Sequence, residues 1–254
     1  IHALPGIVRQ AWNDEMAAWA LAVVLAWIHE EDGVSIIGRW PRDQTPFVTQ
    51  FLHGLRASAC DDPACSWCHA GSPGEALKRF FGFDAFRPSQ EAIVQATLAG
   101  ENILTILPTG GGKSLRFQLP ALRQAERTKQ LTVVLSPLVS LMQDQVTHLR
   151  QLEIANVALL GGALSPLERR DVFDQVRLGG VDLLFISPEQ LRNHSTMELL
   201  QSREIARWVI DEAHCISQWG HNFRVDYTYI PTAIQNITGT TVPVSCFTAT
   251  AKTE

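Results

Sequence analysis

Leu107-Pro108-Thr109-Gly110-Gly111-Gly112-Lys113-Ser114 lies between an apolar, β-branched run and a stretch of helical character. A strand, a glycine turn and a helix in that order form the context that a phosphate-binding loop requires. Glycines let successive backbone N–H groups turn inward around an anion, and the helix N-terminus adds the positive end of its dipole. Residues Pro108, Thr109, Gly110, Gly111 and Gly112 would form the cradle. Lys113 would reach the β- and γ-phosphates of a nucleotide, and Ser114 would offer its hydroxyl to Mg2+. The first position of the G-x-x-x-x-G-K-[ST] pattern is Leu107 rather than glycine. A glycine-rich surface turn that happens to precede Lys-Ser is the plainer reading, so a second motif has to decide.

That motif is Asp211-Glu212-Ala213-His214, directly after the apolar stretch Trp208-Val209-Ile210. Two adjacent carboxylates at the C-terminal end of a strand suit metal-assisted phosphoryl chemistry. Asp211 can hold Mg2+ through water, and Glu212 can orient or deprotonate an attacking water. An acidic pair that merely complements a helix dipole is the alternative, and the loop at Lys113 outweighs it.

Outward from these motifs the pattern alternates. The runs at 102–107, 131–136, 157–160, 181–187, 207–210 and 242–248 are apolar and β-branched, and helical stretches follow them. Strands alternating with helices predict βαβ units, hence an α/β fold whose parallel sheet is covered by helices on both faces. Ser165-Pro166-Leu167-Glu168 reads as a capping box with proline at the first helical position, and Ser187-Pro188-Glu189-Gln190 repeats the pattern with Gln at the third. Gly100 reads as the stop of a helix over 91–99.

Composition bounds the remaining classes. The 254 residues are 46% hydrophobic and 19% charged, enough to bury a core. The longest apolar run, 16–28, has 13 residues, against the ~20 that a membrane-spanning helix needs. The first residue is Ile1 rather than Met, so a targeting signal is not legible. Five cysteines make no disulfide framework, and a reducing intracellular setting is the default. The net charge of −5 is uneven: residues 1–76 hold four Lys/Arg against nine Asp/Glu, and the remainder is neutral. Five of the seven Trp (Trp12, Trp19, Trp27, Trp40 and Trp67) also fall in 1–76. Two regions meeting near residue 76 are expected, and neither is a basic module that charge alone would assign to nucleic acid.

With these residues in place, 77–254 resembles the first RecA-like lobe of superfamily 2 helicases, and within them the RecQ family. Phe81-Gly82-Phe83-Asp84-Ala85-Phe86-Arg87-Pro88-Ser89-Gln90 is similar to the family's adenine-recognition motif. The resemblance implies that Gln90 reads the adenine edge while Phe83 and Arg87 flank the base. An amide can pair twice with adenine N6 and N7, and a guanidinium can stack on a ring. The stretch 136–145, with Ser136, Pro137, Ser140 and Gln145, resembles the motif that touches the nucleic-acid backbone, through hydroxyls and free N–H groups rather than charge. Ser187-Pro188-Glu189 resembles the next such motif, with capping as an equally sufficient explanation. Cys215-Ile216-Ser217-Gln218-Trp219-Gly220-His221-Asn222-Phe223-Arg224 resembles the aromatic-rich loop that senses single-stranded DNA. There Trp219 and Phe223 offer stacking faces, Gln218 and His221 hydrogen bonds, and Arg224 a charge. Phe247-Thr248-Ala249-Thr250-Ala251 resembles the motif coupling hydrolysis to DNA, with His214 as the partner of Thr248 or Thr250 across the site.

The resemblance therefore implies the motor lobe of an ATP- and Mg2+-dependent 3′-to-5′ DNA helicase, acting on single-stranded and duplex DNA, chromosome-associated in the cytoplasm and without a membrane partner. Lys113, Asp211, Glu212 and His214 are its catalytic candidates, with Ser114 and Asp211 at the Mg2+. A second RecA-like lobe carrying an arginine finger belongs to that picture and would lie beyond Glu254. An RNA-directed DExH ATPase and an ATP-switched binding module are the competing readings. The segment 159–165 lacks the polar cluster expected of the family at a DNA contact.

Residues 1–76 read as a mainly helical appendage, with helices over 13–30 and 46–56 and a short strand or hairpin over 34–40. Trp19, Val23 and Trp27 recur at helical spacing, as a packing stripe does. Cys60, Cys65, Cys68 and His69 are the residue types of a tetrahedral zinc site at imperfect spacing, since Cys68 and His69 are adjacent, and His53 is a substitute ligand. Free structural thiols explain the cluster as well as Zn2+ does, and an iron–sulfur cluster is the third alternative. Cys215 and Cys246 read as packed thiols.

Overall fold

The computed structural model describes residues 72–107, 112–128, 130–162, 164–216, 225–239 and 241–249. The appendage before residue 72, including His53, Cys60, Cys65, Cys68 and His69, lies outside the described residues.

Six strands form one sheet: β1 (Ile103–Ile106), β2 (Leu131–Leu135), β3 (Val157–Leu160), β4 (Leu183–Ile186), β5 (Ile205–Ile210) and β6 (Val244–Thr248). Their spatial order is β1-β6-β5-β2-β4-β3, and every pairing is parallel. Of the four inner strands, β2, β4 and β5 are buried at every position. That is why they read as unbroken apolar runs rather than as an alternation.

The described helices are α1 (Pro73–Phe81), α2 (Gln90–Leu98), α3 (Lys113–Thr128), α4 (Val139–Gln151), α5 (Pro166–Leu178), α6 (His194–Gln201) and α7 (Val225–Thr238). Leu77 of α1, Val94 of α2, Phe117 of α3 and Met142 of α4 pack on one sheet face with Val134, Phe185, Val209 and Phe247. Val176 of α5, Leu199 of α6 and Ile230 of α7 pack on the other with Val133, Leu184, Trp208 and Ile210. Phe117 meets Phe247 and Phe185 at ring distances of 5.5 and 6.5 Å, which locks α3 across β6 and β4. The cover thins at the β1 edge, where Leu104 is 71% and Ile106 54% exposed.

Local chemistry sets the helix ends. Ser165 and Glu168 close a capping box before α5, with Pro166 first in the helix. Ser72 and Glu75 do the same before α1. The composition change near residue 76 thus falls inside α1, a helix that begins at Pro73 and buries Ala76, Leu77 and Phe81. Gly100 stands at φ +82 after α2, a left-handed stop that glycine adopts without strain.

The second expected capping box does not form. Ser187 starts a 3₁₀ turn (Pro188–Arg192), and its side chain makes no capping bond. The Gln190 side-chain Oε1 instead accepts from Arg169 of α5 at 2.9 Å. A charged donor from a neighbouring helix outcompetes a neutral local N–H for that amide.

Arg207 is the buried cation of the sheet. It donates to the Thr97 and Glu101 carbonyls at 2.7 and 2.9 Å and to Ser245 Oγ at 2.9 Å. Burial pushes its guanidinium down to about 10, still charged at neutral pH. These bonds tie the C-terminal end of α2 to β5 and β6, and each acceptor left unpaired costs about 1–3 kcal/mol. Arg207→Leu is therefore expected to destabilise the chain by more than Ser165→Ala, a cap loss worth ~1 kcal/mol. Chemical denaturation of the two variants side by side gives the comparison.

Candidate nucleotide site

Parallel α/β sheets present their functional groups at the C-terminal ends of the strands. Here the ends of β1, β5 and β6 lie side by side. The loop after β1 delivers Lys113 as the first residue of α3. The turn after β5 delivers Asp211 and Glu212, and a 3₁₀ turn (Ala213–Ile216) delivers His214. Thr248 is the last residue of β6.

The side chains converge. Lys113 Nζ lies 3.0 Å from Glu212 Oε1, an ion pair across 99 positions of sequence, largely shielded from solvent. His214 Nδ1 lies 3.1 Å from Glu212 Oε2 and 3.0 Å from Thr248 Oγ1. Protonated on Nδ1, the ring donates to the Glu212 carboxylate. Glu212 thus stands between a lysine from the loop and a histidine linked to the last strand. Its own backbone is left-handed at φ +49, a conformation that costs a non-glycine residue roughly 1–3 kcal/mol and recurs at functional sites.

Asp211 is buried, and its Oδ1 accepts from the Glu212 N–H at 2.9 Å. Burial first, and the Glu212 charge second, raise its carboxyl above the ordinary carboxylate range. The Glu212 N–H, Lys113 and His214 oppose the rise. The native carboxyl therefore holds its proton to a higher pH than the unfolded one. The stability this group contributes falls as pH rises above the ordinary carboxylate value, and the cost is complete once pH has passed the raised native value. In the absence of nucleotide and Mg2+, Asp211→Asn is expected to raise the Tm by about 2–4 °C, the response of a domain this size to ~1 kcal/mol. Thermal unfolding checks it, and the gain should vanish in acid.

Gln90 opens α2 and is 4% exposed. Its Oε1 accepts from the Arg87 N–H at 2.8 Å, and its Nε2 reaches the Gly112 carbonyl at 3.5 Å. Gly112 stands at φ +73, and a Cβ there would meet Gln90 Nε2 at 2.5 Å, so only glycine lets the amide and the loop approach this closely. Arg116 of α3, also buried, donates to Ser89 Oγ at 3.4 Å. Phe83 is 53% exposed, its ring open to a stacking partner.

The expected nucleic-acid residues are placed unevenly. Ser136 and Pro137 are buried at the end of β2, Ser140 is exposed, and Gln145 accepts from Gln118 Nε2 of α3 at 3.1 Å. Pro108, Thr109, Gly110, Gly111, Gln218, Trp219, His221, Phe223, Arg224 and Thr250 lie outside the described residues. Among the described residues no cluster of three or more His, Cys, Asp or Glu is placed to hold a metal. Nor, among them, is any helix long and apolar enough to cross a membrane. Sequence reading missed Arg207, although a lone charge in a strand as apolar as β5 marks it. It also missed Tyr227, which no pattern marks.

Known proteins match this arrangement. The chain is 38% identical over 206 residues to ATP-dependent DNA helicase hus2/rqh1 of Schizosaccharomyces pombe, a match covering 78% of this chain and 15% of that protein. It is 40% identical over 154 residues to ATP-dependent DNA helicase RecQ of Haemophilus influenzae, covering 61% and 24%. It thus spans only a minor part of the length of these relatives. Among solved structures, DEAD-box helicase Mss116 bound to ssRNA superposes with TM-score 0.57 at 18% identity, covering 70% of this chain and 38% of that one. DUF1998 helicase MrfA bound to DNA and AMPPNP gives 0.56 at 22%, covering 71% and 26%. At these identities the structures support the fold alone. The family model for DEAD/DEAH box helicases matches residues 87–254, from Arg87 through Lys113 and Glu212 to the last residue, and the chain belongs to that family.

Proposed function

We propose that this chain is the ATP-hydrolysing lobe of a RecQ-type DNA helicase, one that turns ATP hydrolysis into 3′-to-5′ movement along single-stranded DNA and separation of duplex. The observation that carries the reading is Glu212 held between Lys113 at 3.0 Å and His214 at 3.1 Å, with Thr248 on the same histidine nitrogen. The named activity of relatives 38–40% identical supports the DNA substrate.

The residues fit ATP with Mg2+. A buried carboxylate, a lysine at a helix N-terminus and a glycine whose missing Cβ leaves room for a neighbouring amide are what that ligand needs. Bound, Mg2+ and ATP supply a γ-phosphoryl group polarised for attack by water. With that ligand bound, Lys113 would leave Glu212 for the phosphates, Ser114 and Asp211 would hold the metal, and Glu212 would orient the water. Gln90 exchanges its protein contacts for the adenine edge, between Phe83 and Arg87. His214 carries the state of Glu212 to Thr248 at the end of β6. Ser136, Pro137, Ser140, Gln145, Gln218, Trp219, His221, Phe223 and Arg224 are the residues assigned to DNA contact in this reading, and Thr248 and Thr250 those assigned to coupling. A second RecA-like lobe in the full-length protein completes the site.

The test is ATP hydrolysis by the full-length protein alone, with single-stranded DNA and with single-stranded RNA. Stimulation by DNA that is lost in Lys113→Ala is the expected result. Equal or greater stimulation by RNA would move the protein to the RNA-directed class.

A further inference from the structure

One peptide unit in the site is held at both ends. The Asp211 carbonyl accepts from the Tyr227 hydroxyl at 2.9 Å, and the Glu212 N–H of the same peptide donates to Asp211 Oδ1 at 2.9 Å. Next in the chain is Glu212, at φ +49. Left-handed backbone at a non-glycine residue persists only where its surroundings over-determine it, and these two bonds do so.

The two ties differ in permanence. The Asp211 carboxylate has other work when Mg2+ is bound, so its grip on the Glu212 N–H is one the reaction can call away. The Tyr227 bond does not compete with that work. Tyr227 is fully buried on α7, packed in the same cluster as Trp208, Ile210, Ile230 and Ala233. Its hydroxyl is therefore fixed by the core and not by the ligand. A buried carbonyl that loses such a donor has no water to replace it.

We propose that Tyr227 is a positioning residue for ATP hydrolysis. Its hydroxyl fixes the Asp211–Glu212 peptide and so aims the Glu212 carboxylate into the space between Lys113 and His214. Tyr227 touches neither nucleotide nor water and acts through Glu212. The inference rests on the reading of Glu212 as the residue that orients the attacking water.

The experiment compares Tyr227→Phe, Thr238→Val and Glu212→Gln in the full-length protein, measuring kcat and KM for ATP with and without single-stranded DNA, and Tm. Tyr227→Phe removes one oxygen and keeps the ring. Thr238→Val removes a different side-chain bond of α7, the hydroxyl that accepts from Trp208 Nε1 of β5 at 3.1 Å, at the far end of the helix. Tyr227→Phe is expected to lower kcat by about 10- to 100-fold, the effect of a small misplacement. KM should stay within about twofold, and Tm should fall no further than in Thr238→Val, which keeps its kcat. An unchanged kcat in Tyr227→Phe overturns the inference, as does an equal loss of kcat in Thr238→Val, because the effect would then follow stability. If Glu212→Gln hydrolyses ATP normally, the reading of Glu212 falls and the inference falls with it. If Glu212→Gln is inactive and Tyr227→Phe is not, the inference alone is wrong.

Discussion

Glu212→Gln is expected to lower kcat for ATP hydrolysis by about 10²–10⁴-fold, the range over which a positioned acid–base group contributes, while ATP binds more tightly. The two effects have one origin. Glu212 holds the Lys113 ammonium at 3.0 Å where both are partly shielded from water. ATP must draw Lys113 away from that carboxylate before the lysine can meet the phosphates. The amide is nearly the same size but carries no charge, so the lysine is released at little cost. The loss of charge also removes the second cause that raises the Asp211 carboxyl, which leaves that group readier to ionise and hold Mg2+. Titration with a fluorescent ATP analogue, beside steady-state turnover, reads both effects. Equal or weaker nucleotide affinity in the variant would show that the Lys113–Glu212 pair does not restrain the free protein.

Lys113→Ala is expected to have the opposite binding signature. It removes a preorganised cation from the developing charge on the phosphates, and one such donor is worth about 10²–10³-fold in rate. It also strips Asp211 and Glu212 of a cation that offsets their mutual repulsion, since Lys113 is among the groups that lower the Asp211 carboxyl. That carboxyl then holds its proton to still higher pH. The residual activity of Lys113→Ala should therefore rise with pH over a range where the wild type is already flat, and nucleotide affinity should drop. A pH–rate profile with nucleotide titration separates this from simple unfolding, which would lower turnover at every pH without moving its shape. A profile with the wild-type shape would mean that Lys113 acts on the phosphates alone.

Strands β2, β4 and β5 were legible because a strand buried on both faces must be apolar throughout, and runs such as 131–136 and 181–187 are short and bounded by turn residues. The α5 cap was legible for a similar reason. Ser165 and Glu168 satisfy each other within one turn, with nothing distant needed. The stretch at 187–190 has the same local chemistry and a different outcome, because Arg169, distant in sequence, competes for Gln190. Pro120 and Pro231 lie inside α3 and α7. A helix can lose one internal bond there because the packing of its apolar face on the sheet supplies most of its stability.

The same division holds at the site. Lys113, Asp211, Glu212 and His214 could be named from the sequence because each sits at a strand end beside a glycine turn or a second acid, features set within about ten residues of chain. Their partners could not. The order β1-β6-β5-β2-β4-β3 brings Lys113 to Glu212 and Thr248 to His214. That order is a property of how the crossovers pack, which no single segment encodes. Nor does any local pattern say that Arg207 bonds the end of α2 or that the Tyr227 hydroxyl bonds the Asp211 carbonyl. Elements and motifs are short-range and were determined by the sequence alone. The pairings that aim the Glu212 carboxylate are between residues far apart along the chain, and the sheet decides them by setting which strand ends are neighbours.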